Sequence, residues 1–469
     1  MNNTALSSNC CVILAAGAGK RMHSPLSKVL CQVACKPMIS WITDTVKASD
    51  IGSICVVVSS DDVAGAVPGC EIRYQTERLG TGHAVMCASD YLEKGFENVL
   101  VLCGDAPFMS ADTILSALKF HTENNNDLTV ISAVLDDPAR YGRIIRGKDN
   151  DLQAITEAAD CTEEQLAIRE INSGAFWFRV PALCDALKRI RNDNAQGEYY
   201  LTDTVQIIRS SGGKTGCFAS PDPDIVLGAN SPADLLRLNE IAIDKIIKNH
   251  LANGVHFLST DGVVIGPDVT IQPGSRILPG TMLYGNTSIG ASCEIGPNTI
   301  LENVKVGNGC TVLSSVVRGS LIGDNVTVGP FAHIRQDTSL HDNINVGAFV
   351  ETKNSDVGEG TSVAHLTYLG DADIGKYCNF GCGTVIANYD GTVKSRTVIG
   401  DYAFIGCNTN LIPPVTVGSY AYTAAGTTVT RDIPEGALAV GRVKETILPE
   451  WGKRKLKAYI EKKNKLKNK

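Results

Sequence analysis

Residues 265–301 read IGPDVT IQPGSR ILPGTM LYGNTS IGASCE IGPNTI L, with an aliphatic residue at every sixth position. The same period returns in residues 399–429, and shorter stretches between the two runs keep it after slips of phase. A glycine often follows the aliphatic residue, as at Gly266 and Gly406. One inward aliphatic side chain per short strand, with a small residue at the turn, predicts three-strand coils stacked around an aliphatic column.

The repeat resembles that of the hexapeptide-repeat acyltransferases, which fold as left-handed parallel β-helices. The resemblance supplies the hand of the helix, which the period by itself does not. We therefore expect a left-handed β-helix acetyltransferase domain over residues 251–469, with a basic C-terminal tail. The Lys-rich tail from Trp451 predicts a solvated helix in which Leu456 and Ile460 pack at helical spacing, with a nucleic-acid-binding arm as the alternative.

The first half of the chain follows a different pattern, in which short apolar runs alternate with helix-like stretches. This alternation is typical of a Rossmann-like α/β domain with a largely parallel sheet, which we expect over residues 1–229. The predicted strands and helices lie at residues 10–14, 38–46, 54–58, 83–92 and 99–102.

A linker helix is predicted over residues 230–250, between the two halves. Ser231 suits the N-cap position and Pro232 the first helical position. Leu235, Leu238 and Ala242 then recur at helical spacing. We interpret this segment as a plain spacer.

The composition excludes several classes of protein. A net charge of −7 disfavours binding to nucleic acid or to anionic membranes. The first nine residues lack the apolar core of a signal peptide, and no apolar run reaches the ~18 residues of a membrane span. The 16 cysteines are scattered without paired C-x-x-C motifs, so neither a disulfide framework nor a metal cluster is expected. We therefore expect a cytoplasmic protein whose cysteines are reduced.

A glycine-rich turn follows the first predicted strand. Residues 14–22 read LAAGAGKRM, and in such a turn backbone N–H groups approach a phosphate without side chains in the way. Lys28 would neutralise phosphate charge, although by itself it is explained equally well as a surface lysine. The segment resembles the L-A-A-G-x-G-T-R-M … K-x-L signature of sugar-nucleotide pyrophosphorylases. Lys20 replaces the usual Thr of that signature, and Ser27 replaces a Pro.

Further segments match this family in the same order. Gln75 and residues 79–84, LGTGHA, resemble the loop that reads a uracil ring in the uridylyltransferase branch. Cys103-Gly104-Asp105 stands where the family has Y-G-D, at the end of a predicted strand, where a carboxylate suits Mg²⁺. The family's sugar-contacting and second metal-binding segments resemble residues 141–144, Glu157, residues 170–174 and residues 228–230.

The resemblance implies a set of residues for uridylyl transfer. Asp105 and Asn230 would hold Mg²⁺, and Arg21 and Lys28 would hold the triphosphate as catalytic cations. A sugar-1-phosphate oxygen would attack the α-phosphate of UTP and release pyrophosphate, a reaction dominated by positioning and charge neutralisation. The implied contacts to UTP and UDP-N-acetylglucosamine are Leu14, Ala15, Ala16, Gly17, Lys28, Gln75, Gly80, Thr81, Cys103, Gly104, Asp105, Gly142, Glu157, Asn172 and Asn230.

Two polar clusters interrupt the hexapeptide repeat. Residues 365–371, HLTYLGD, and residues 388–391, NYDG, together resemble the signature of bacterial glucosamine-1-phosphate acetyltransferases. Acetyl transfer from a thioester to an amine needs a base, and His365 suits this role because the reference pKa of histidine is about 6.5. Without its flanking motif, a histidine on such a coil is more often structural.

The resemblance also implies contacts for both substrates of acetyl transfer. The sugar-phosphate contacts would be Arg335, Lys353, Tyr368, Asn379 and Lys394. The acetyl-CoA contacts would be Cys382, Asn388, Tyr389, Cys407, Ala425 and Arg442. Three positions depart from the family, because Gln336 replaces a Pro, Cys382 replaces an Ala, and Cys407 replaces a Ser whose hydroxyl is a stronger donor than a thiol.

Both halves together imply a bifunctional transferase of the bacterial UDP-N-acetylglucosamine pyrophosphorylase family. Its small-molecule substrates would be glucosamine-1-phosphate, acetyl-CoA, N-acetylglucosamine-1-phosphate and UTP, and its product a precursor of cell wall and lipopolysaccharide. Hexapeptide acyltransferases are usually trimers, so the resemblance implies a homotrimer. Two alternatives stay open: a monofunctional pyrophosphorylase with a structural or regulatory β-helix, which would not need His365, and a scaffold protein, which would not need Asp105 with Asn230.

Overall fold

A computed structural model describes residues 8–17, 19–22, 24–138, 141–148, 150–194 and 196–467. The chain forms two compact units. Unit 1 comprises the residues up to Asn249 together with Ile265–Pro267, and unit 2 comprises His250–Val264 and the residues from Asp268 onward.

Unit 1 is built around a nine-stranded mixed sheet with the central order β11-β7-β10-β6-β1-β4-β5. The strand β1 pairs in parallel with both β4 and β6, and β10 is antiparallel to β6 and β7. The strands of unit 1 are β1 (Asn9–Ala15), β2 (Gln32–Val33), β3 (Lys36–Pro37), β4 (Ser53–Val58), β5 (Glu71–Tyr74), β6 (Asn98–Cys103), β7 (Leu128–Val134), β8 (Arg143–Arg146), β9 (Leu152–Thr156), β10 (Glu170–Arg179) and β11 (Thr215–Ala219). The predicted strands are therefore confirmed to within one residue at each end.

Helices cover both faces of this sheet. They are α1 (Met38–Ala48), α2 (Asp61–Gly65), α3 (Thr81–Met86), α4 (Ser89–Leu92), α5 (Ala111–Glu123), α6 (Glu163–Leu166), α7 (Val180–Leu187), α8 (Thr204–Ser210) and α9 (Pro232–Ala252), with 3-10 turns at Lys20–Met22, Lys28–Leu30, Ala158–Asp160, Leu201–Asp203 and Pro223–Val226. The helix predicted at residues 83–92 is divided into α3 and α4, because the backbone of Ala88 leaves the helical conformation at φ −103° and ψ 16°.

The alternating side chains of β1 enter two different hydrophobic cores. Ile13 packs in one core with Ile42 of α1, and Val12 packs in the other with Leu183 of α7. A strand buried on both faces needs apolar residues at every position, which explains the unbroken apolar run in the sequence. This burial places the carboxyl end of β1, where the glycine-rich turn begins, at the edge of a rigid sheet.

The helix α9 begins as its sequence predicts. The Ser231 hydroxyl accepts a hydrogen bond from the backbone N–H of Asp234 at 3.2 Å, a normal N-cap contact. Leu238 and Ala242 are buried in a core that also contains Met22 and Met38. These side chains make the helix part of the hydrophobic packing of unit 1, so the interpretation of this segment as a plain spacer is wrong.

Unit 2 is a parallel β-helix whose strands form an 11-stranded and a 17-stranded sheet. Its strands, β12 to β39 in chain order, are His256–Phe257, Val264–Ile265, Thr270–Ile271, Arg276–Ile277, Met282–Tyr284, Ser288–Ile289, Glu294–Ile295, Ile300–Glu302, Lys305–Val306, Thr311–Val312, Val316–Arg318, Leu321–Ile322, Thr327–Val328, His333–Ile334, Ser339–Leu340, Asn345–Ala348, Glu351–Val357, Ser362–His365, Tyr368–Ile374, Asn379–Phe380, Val385–Ile386, Thr397–Ile399, Phe404–Ile405, Asn410–Leu411, Val415–Val417, Tyr422–Thr423, Thr428–Val429 and Leu438–Ala439. The predicted fold class, an α/β domain followed by a left-handed β-helix, is confirmed.

The residues with a period of six fill the interior of the β-helix. Every one of them is at most 7% exposed, and Ile265, Ile295 and Ile405 are fully buried. Buried threonines share this interior, and several satisfy their hydroxyls locally, as when Thr409 donates to the Gly406 carbonyl at 2.7 Å. The interior therefore contains little unpaired polar surface, which suits an aliphatic column.

The terminal helix α10 (Trp451–Lys467) corrects one prediction. Leu456 and Ile460 were expected to pack, but they are 59% and 48% exposed in this chain. The helix lies clear of the apolar interior, which ends with the last coils. Within the part of the chain that the structure describes, no helix is long and apolar enough to cross a membrane.

We expect the Ile295→Ala variant to lower the free energy of unfolding of the β-helix by about 2–5 kcal/mol, because it opens a cavity in the aliphatic column. Chemical denaturation followed by circular dichroism would measure this change. The matched control is Glu294→Ala, since the neighbouring Glu294 side chain points outward and makes only an exposed ion pair with Arg276 at 3.4 Å. Equal losses in both variants would contradict an interior role for Ile295.

Candidate active sites

A cleft of about 310 Å³ opens at the carboxyl ends of β1 and β6 in unit 1. It is bounded by the glycine-rich turn, the loop before α3 and the end of β6. Its lining residues are Leu14, Ala16, Gly17, Lys28, Val29, Gln75, Arg78, Gly80, Thr81, Ala84, Cys103, Asp105 and Glu198. Nine residues predicted to contact the nucleotide therefore meet in one concave site, at the place where parallel α/β sheets usually bind ligands.

The glycine-rich turn depends on a position that only glycine fits. Gly19 has a φ of +54°, and a β-carbon there would lie 2.8 Å from the β-carbon of Lys28. The backbone N–H of Gly104 donates to the Leu14 carbonyl at 2.9 Å and joins the turn to the end of β6. The side chain of Lys20 lies outside the described residues, and Arg21 is exposed.

Lys28, Asp105 and Asn230 form a polar cluster beside the cleft. The Lys28 ammonium forms an ion pair with the Asp105 carboxylate and donates a hydrogen bond to the Asn230 amide oxygen at 2.8 Å. The side-chain oxygens of Asp105 and Asn230 thus both contact the Lys28 ammonium. One or two protein oxygens completed by substrate phosphates are the donor set that Mg²⁺ prefers, so these residues fit that ion. Among the described residues, no group of three or more His, Cys, Asp or Glu side chains could hold a metal by itself.

The loop before α3 places a buried amide at the rim of the cleft. The Gln75 amide nitrogen donates to the Gly80 carbonyl at 3.0 Å and lies 3.1 Å from Nδ1 of His83. Gly80 has a φ of +104°, and a β-carbon there would lie 2.7 Å from the Tyr199 carbonyl oxygen. These contacts therefore fix the conformation of the loop. Recognition of a planar base by hydrogen bonds requires such a fixed loop.

Gly142, just before β8, and Glu157, just after β9, come together with Asn172 of β10, and none of the three is among the residues that line the cleft. The backbone N–H of Asn172 donates to the Gly142 carbonyl at 2.8 Å. A β-carbon on Gly142 would lie 3.4 Å from a Glu157 carboxylate oxygen. Burial raises the pKa of the Glu157 carboxyl above its ordinary value. Of the remaining predicted contacts, Ala15 is buried in a core and Asn230 is exposed.

Two charged residues that line the cleft were not among the predicted contacts. The Arg78 guanidinium donates to the Ala16 carbonyl at 3.1 Å and brings a cation to the cleft. It could have been found, because it lies between Gln75 and Gly80 in a loop already identified. Glu198 comes from a segment without any motif, and only the folded chain brings it to the cleft.

The second site lies on one corner of the β-helix in unit 2. His365 ends β29, pairs with Ala348 of the preceding coil, and is exposed. Its carbonyl accepts a hydrogen bond from the Thr367 hydroxyl at 2.7 Å. The imidazole is therefore presented outward, where a substrate amine could reach it, and is no part of the aliphatic interior.

Asp371, which follows His365 in the same sequence motif, organises a group of polar side chains. Its carboxylate accepts hydrogen bonds from the side chains of Asn354, at 2.6 Å, and of Asn388. Burial acts to raise the pKa of Asp371, but these hydrogen bonds and nearby lysines bring it below its ordinary value. A β-carbon on Gly370 would lie 2.5 Å from the Tyr368 hydroxyl, so glycine makes room for this arrangement.

The residues predicted to hold the sugar phosphate include two neighbouring lysines. The adjacent Lys394 ammonium lowers the pKa of Lys353, because two like charges repel. Arg335 forms an ion pair with Glu351 at 2.8 Å. A bound phosphate would relieve the repulsion between the lysines, so this surface suits an anion. Asn379 begins β31 and is exposed.

Most residues predicted to contact acetyl-CoA are exposed, and the buried Asn388 is the exception. Tyr389 is exposed and donates its hydroxyl to the Gly391 carbonyl at 2.6 Å. The Arg442 guanidinium donates to the Ala425 carbonyl at 2.5 Å. Cys382 and Cys407 are the two exposed thiols of this surface. These exposed residues, with Cys382 and Cys407 among them, form an open track along successive coils. Such a surface suits an elongated ligand.

Comparisons with known proteins agree with both halves of the chain. Residues 11–171 match the MobA-like NTP transferase domain family, and residues 396–431 match the bacterial transferase hexapeptide family of six repeats. The bifunctional protein GlmU of Clostridium acetobutylicum is 43% identical over 446 residues, covering 94% of this chain and 98% of its own length. The proteins of the same name from Caldanaerobacter subterraneus and Thermoanaerobacter pseudethanolicus are 45% and 46% identical, each covering 95% of this chain and 98% of its own length.

We expect Cys103 to resist alkylation at pH 8, while the exposed Cys382 and Cys407 react. Burial raises the pKa of the Cys103 thiol to about 12, so only about 10⁻⁴ of it is the reactive thiolate at pH 8. Its labelling should rise with pH, about tenfold per unit, until the pKa is reached. Iodoacetamide labelling followed by peptide mass spectrometry measures this, and equal labelling of all three cysteines at pH 8 would contradict it.

Proposed function

The chain belongs to the family of the bifunctional protein GlmU, and we propose that its two activities are divided between the two sites described above. It is a transferase of UDP-N-acetylglucosamine synthesis, with an acetyltransferase and a uridylyltransferase activity. The observation that carries this conclusion is similarity over nearly the whole length of relatives that are themselves bifunctional. A monofunctional pyrophosphorylase with a structural or regulatory β-helix would not account for the bifunctional name of these relatives.

For uridylyl transfer, we place UTP in the cleft of unit 1. The Gln75 amide would read the uracil ring, and the glycine-rich turn would receive the triphosphate, with Arg21 and Lys28 as its cations. The attacking sugar-1-phosphate and the α-phosphate are both anions, so the charge of Lys28 acts by lowering their repulsion. Gly142, Glu157 and Asn172 would hold the sugar, for which a buried carboxyl is a good hydrogen-bond partner.

Mg²⁺ is the cofactor that we propose for this site, held by Asp105 and Asn230. When bound, the ion supplies Lewis-acid stabilisation of charge on the reacting phosphates. The proposal is supported by the convergence of the carboxylate and the amide oxygen on the Lys28 ammonium. Lys28 would then be released from its ion pair to contact phosphate oxygens.

For acetyl transfer, we assign His365 as the general base. It would take the proton from the amine of glucosamine-1-phosphate as that nitrogen attacks the thioester carbonyl of acetyl-CoA. Lys353, Lys394 and Arg335 would hold the sugar phosphate, and the open track through Cys382 and Cys407 would hold acetyl-CoA. Asn388 and Asp371, which form a hydrogen-bonded pair, would position the acetyl group.

We further propose the wider setting that the resemblance implies. The enzyme would act in the cytoplasm as a homotrimer and supply a precursor of cell wall and lipopolysaccharide. Its uridylyltransferase domain would extend over residues 1–229, the linker helix over 230–250 and the acetyltransferase domain over 251–469. A homotrimer is supported by the exposed aromatic side chains of the β-helix, such as Phe331 and Phe349, which stack at 5.6 Å.

An omission experiment tests the assignment of the substrates. Purified protein is incubated with glucosamine-1-phosphate, acetyl-CoA, UTP and Mg²⁺, and each component is then left out in turn. UDP-N-acetylglucosamine should form only in the complete mixture. Formation of N-acetylglucosamine-1-phosphate should need neither UTP nor Mg²⁺, and a requirement for either would count against two independent sites.

The Asp105→Asn variant should lower uridylyl transfer by about 10²–10³-fold, because losing the carboxylate removes several kcal/mol of charge stabilisation. Acetyl transfer by the same sample should be unchanged and serves as the internal control. The matched variant Asp112→Asn, an exposed carboxylate at the start of α5, should leave both activities intact. Steady-state release of pyrophosphate measures the effect, and near-normal turnover in Asp105→Asn would refute the metal role.

The His365→Ala variant should lower kcat of acetyl transfer by about 10²–10⁴-fold, the usual share of general base catalysis. Substrate binding and the melting temperature should change little, since the imidazole is exposed and acts mainly in the transition state. His341→Ala is the matched control, because His341 is an exposed histidine of the same β-helix, paired with Asp356 at 3.1 Å. A stable His365→Ala protein that acetylates within tenfold of wild type would eliminate His365 as the base.

A further inference from the structure

The exposed thiols of this chain form a pair. All sixteen cysteines are free and lie within the described residues, and only Cys382 and Cys407 are exposed. The other fourteen are buried or half-buried, and in the cores of unit 1 burial raises the pKa of the thiols, to about 12 for Cys10 and Cys55. Exposed thiols are the ones open to exchange with small molecules.

Backbone hydrogen bonds place the two cysteines opposite each other on adjacent coils. Phe380 pairs with Ile405 in the parallel ladder, and each cysteine follows its strand by two residues. The N–H of Asn408 donates to the Cys382 carbonyl at 2.8 Å. A β-carbon on Gly381 would lie 2.8 Å from the α-carbon of Cys407, so the coils touch at this corner.

The geometry of adjacent coils suits a disulfide. Parallel strands lie about 4.8 Å apart, and α-carbons of disulfide partners lie about 4.4–6.8 Å apart. Both cysteines precede a left-handed residue, Gly383 with φ +79° and Asn408 with φ +55°. Equivalent positions in the repeat point their side chains in the same direction, and both thiols are exposed on one surface.

The same corner carries the proposed base. Val363 pairs with Phe380, and His365 and Cys382 each lie two residues further along. His365, Cys382 and Cys407 therefore occupy successive coils of one column. A covalent bond between the two sulfurs would lie one coil from the imidazole, on the track assigned to acetyl-CoA.

We propose that Cys382 and Cys407 form a thiol–disulfide exchange site for small-molecule disulfides, and that closing the pair slows acetyl transfer. One thiolate attacks the small disulfide, forms a mixed disulfide and releases one thiol. The second cysteine thiolate attacks the cysteine sulfur of the mixed disulfide, so the S–S bond of the protein forms and the second small thiol leaves. Two cysteine thiols are oxidised and one small disulfide is reduced to two thiols. The effect on acetylation rests on the proposed placement of acetyl-CoA.

The test uses the full chain, reduced, freed of reductant and incubated with oxidised glutathione. Peptide mass spectrometry should find residues 382 and 407 joined with the loss of two hydrogen atoms. The rate of acetyl transfer should fall in proportion to the fraction of protein that carries the Cys382–Cys407 disulfide. It should recover after treatment with dithiothreitol. Uridylyl transfer, measured in the same sample, should not change.

Three variants complete the test. Cys382→Ala and Cys407→Ser should form no internal disulfide and at most a mixed disulfide with glutathione, each compared with its own reduced activity. Cys161→Ser, which changes a half-buried cysteine of unit 1, should form the internal disulfide as wild type does. Absence of the Cys382–Cys407 disulfide would overturn the proposal, and so would its formation without loss of acetyl transfer. Failure of the proposed function would appear separately, as a reduced protein that does not acetylate glucosamine-1-phosphate.

Discussion

Hydrogen bonding between parallel backbones is the interaction on which both units depend. A parallel ladder satisfies every N–H and C=O of a strand only in a definite register, and register decides which side chains become neighbours. In unit 1 it brings the ends of β1 and β6 together, so that the glycine-rich turn and Asp105 face one cleft. In unit 2 it aligns His365 with residues that are distant in sequence. The candidate sites arise here from strand ends and coil corners, where side chains are released from the ladder.

Many corners of the β-helix require left-handed backbone, which costs conformational free energy, and two kinds of residue occupy them. Left-handed backbone is most easily adopted by glycine and asparagine, and many corners of the β-helix use them, as at Gly383 and Asn408. Bulky residues occupy other corners, including Phe331, Phe349 and Tyr402, which stack on neighbouring aromatic rings outside the coil. Ring stacking offsets part of the backbone strain, so these corners stay in register while exposing apolar surface.

Both sites are arranged for anions, but they balance charge differently. In the cleft of unit 1, Lys28 is paired with Asp105 before any ligand binds, which keeps a largely buried cation from being left alone. On the β-helix, Lys353 and Lys394 face each other in water and repel, and a phosphate would remove that repulsion. The first arrangement suits a site that must exchange one cation for another. The second suits simple capture of a charged substrate.

The sequence by itself determined the repeat, the alternation of strands and helices in unit 1, and the motifs that meet in the cleft. These features are encoded locally, by a period of six, by apolar runs and by the glycine-rich turn after the first strand. Only the tertiary structure decided that Glu198 lines the cleft, that His365 points outward, and that Leu456 stays exposed. It also decided that Cys382 and Cys407 are neighbours although 25 positions separate them. The reason is physical. Composition and spacing specify which residues a strand buries. Contacts between coils depend on the register of the strands, and the insertion of residues 387–396 between β32 and β33 shifts that register.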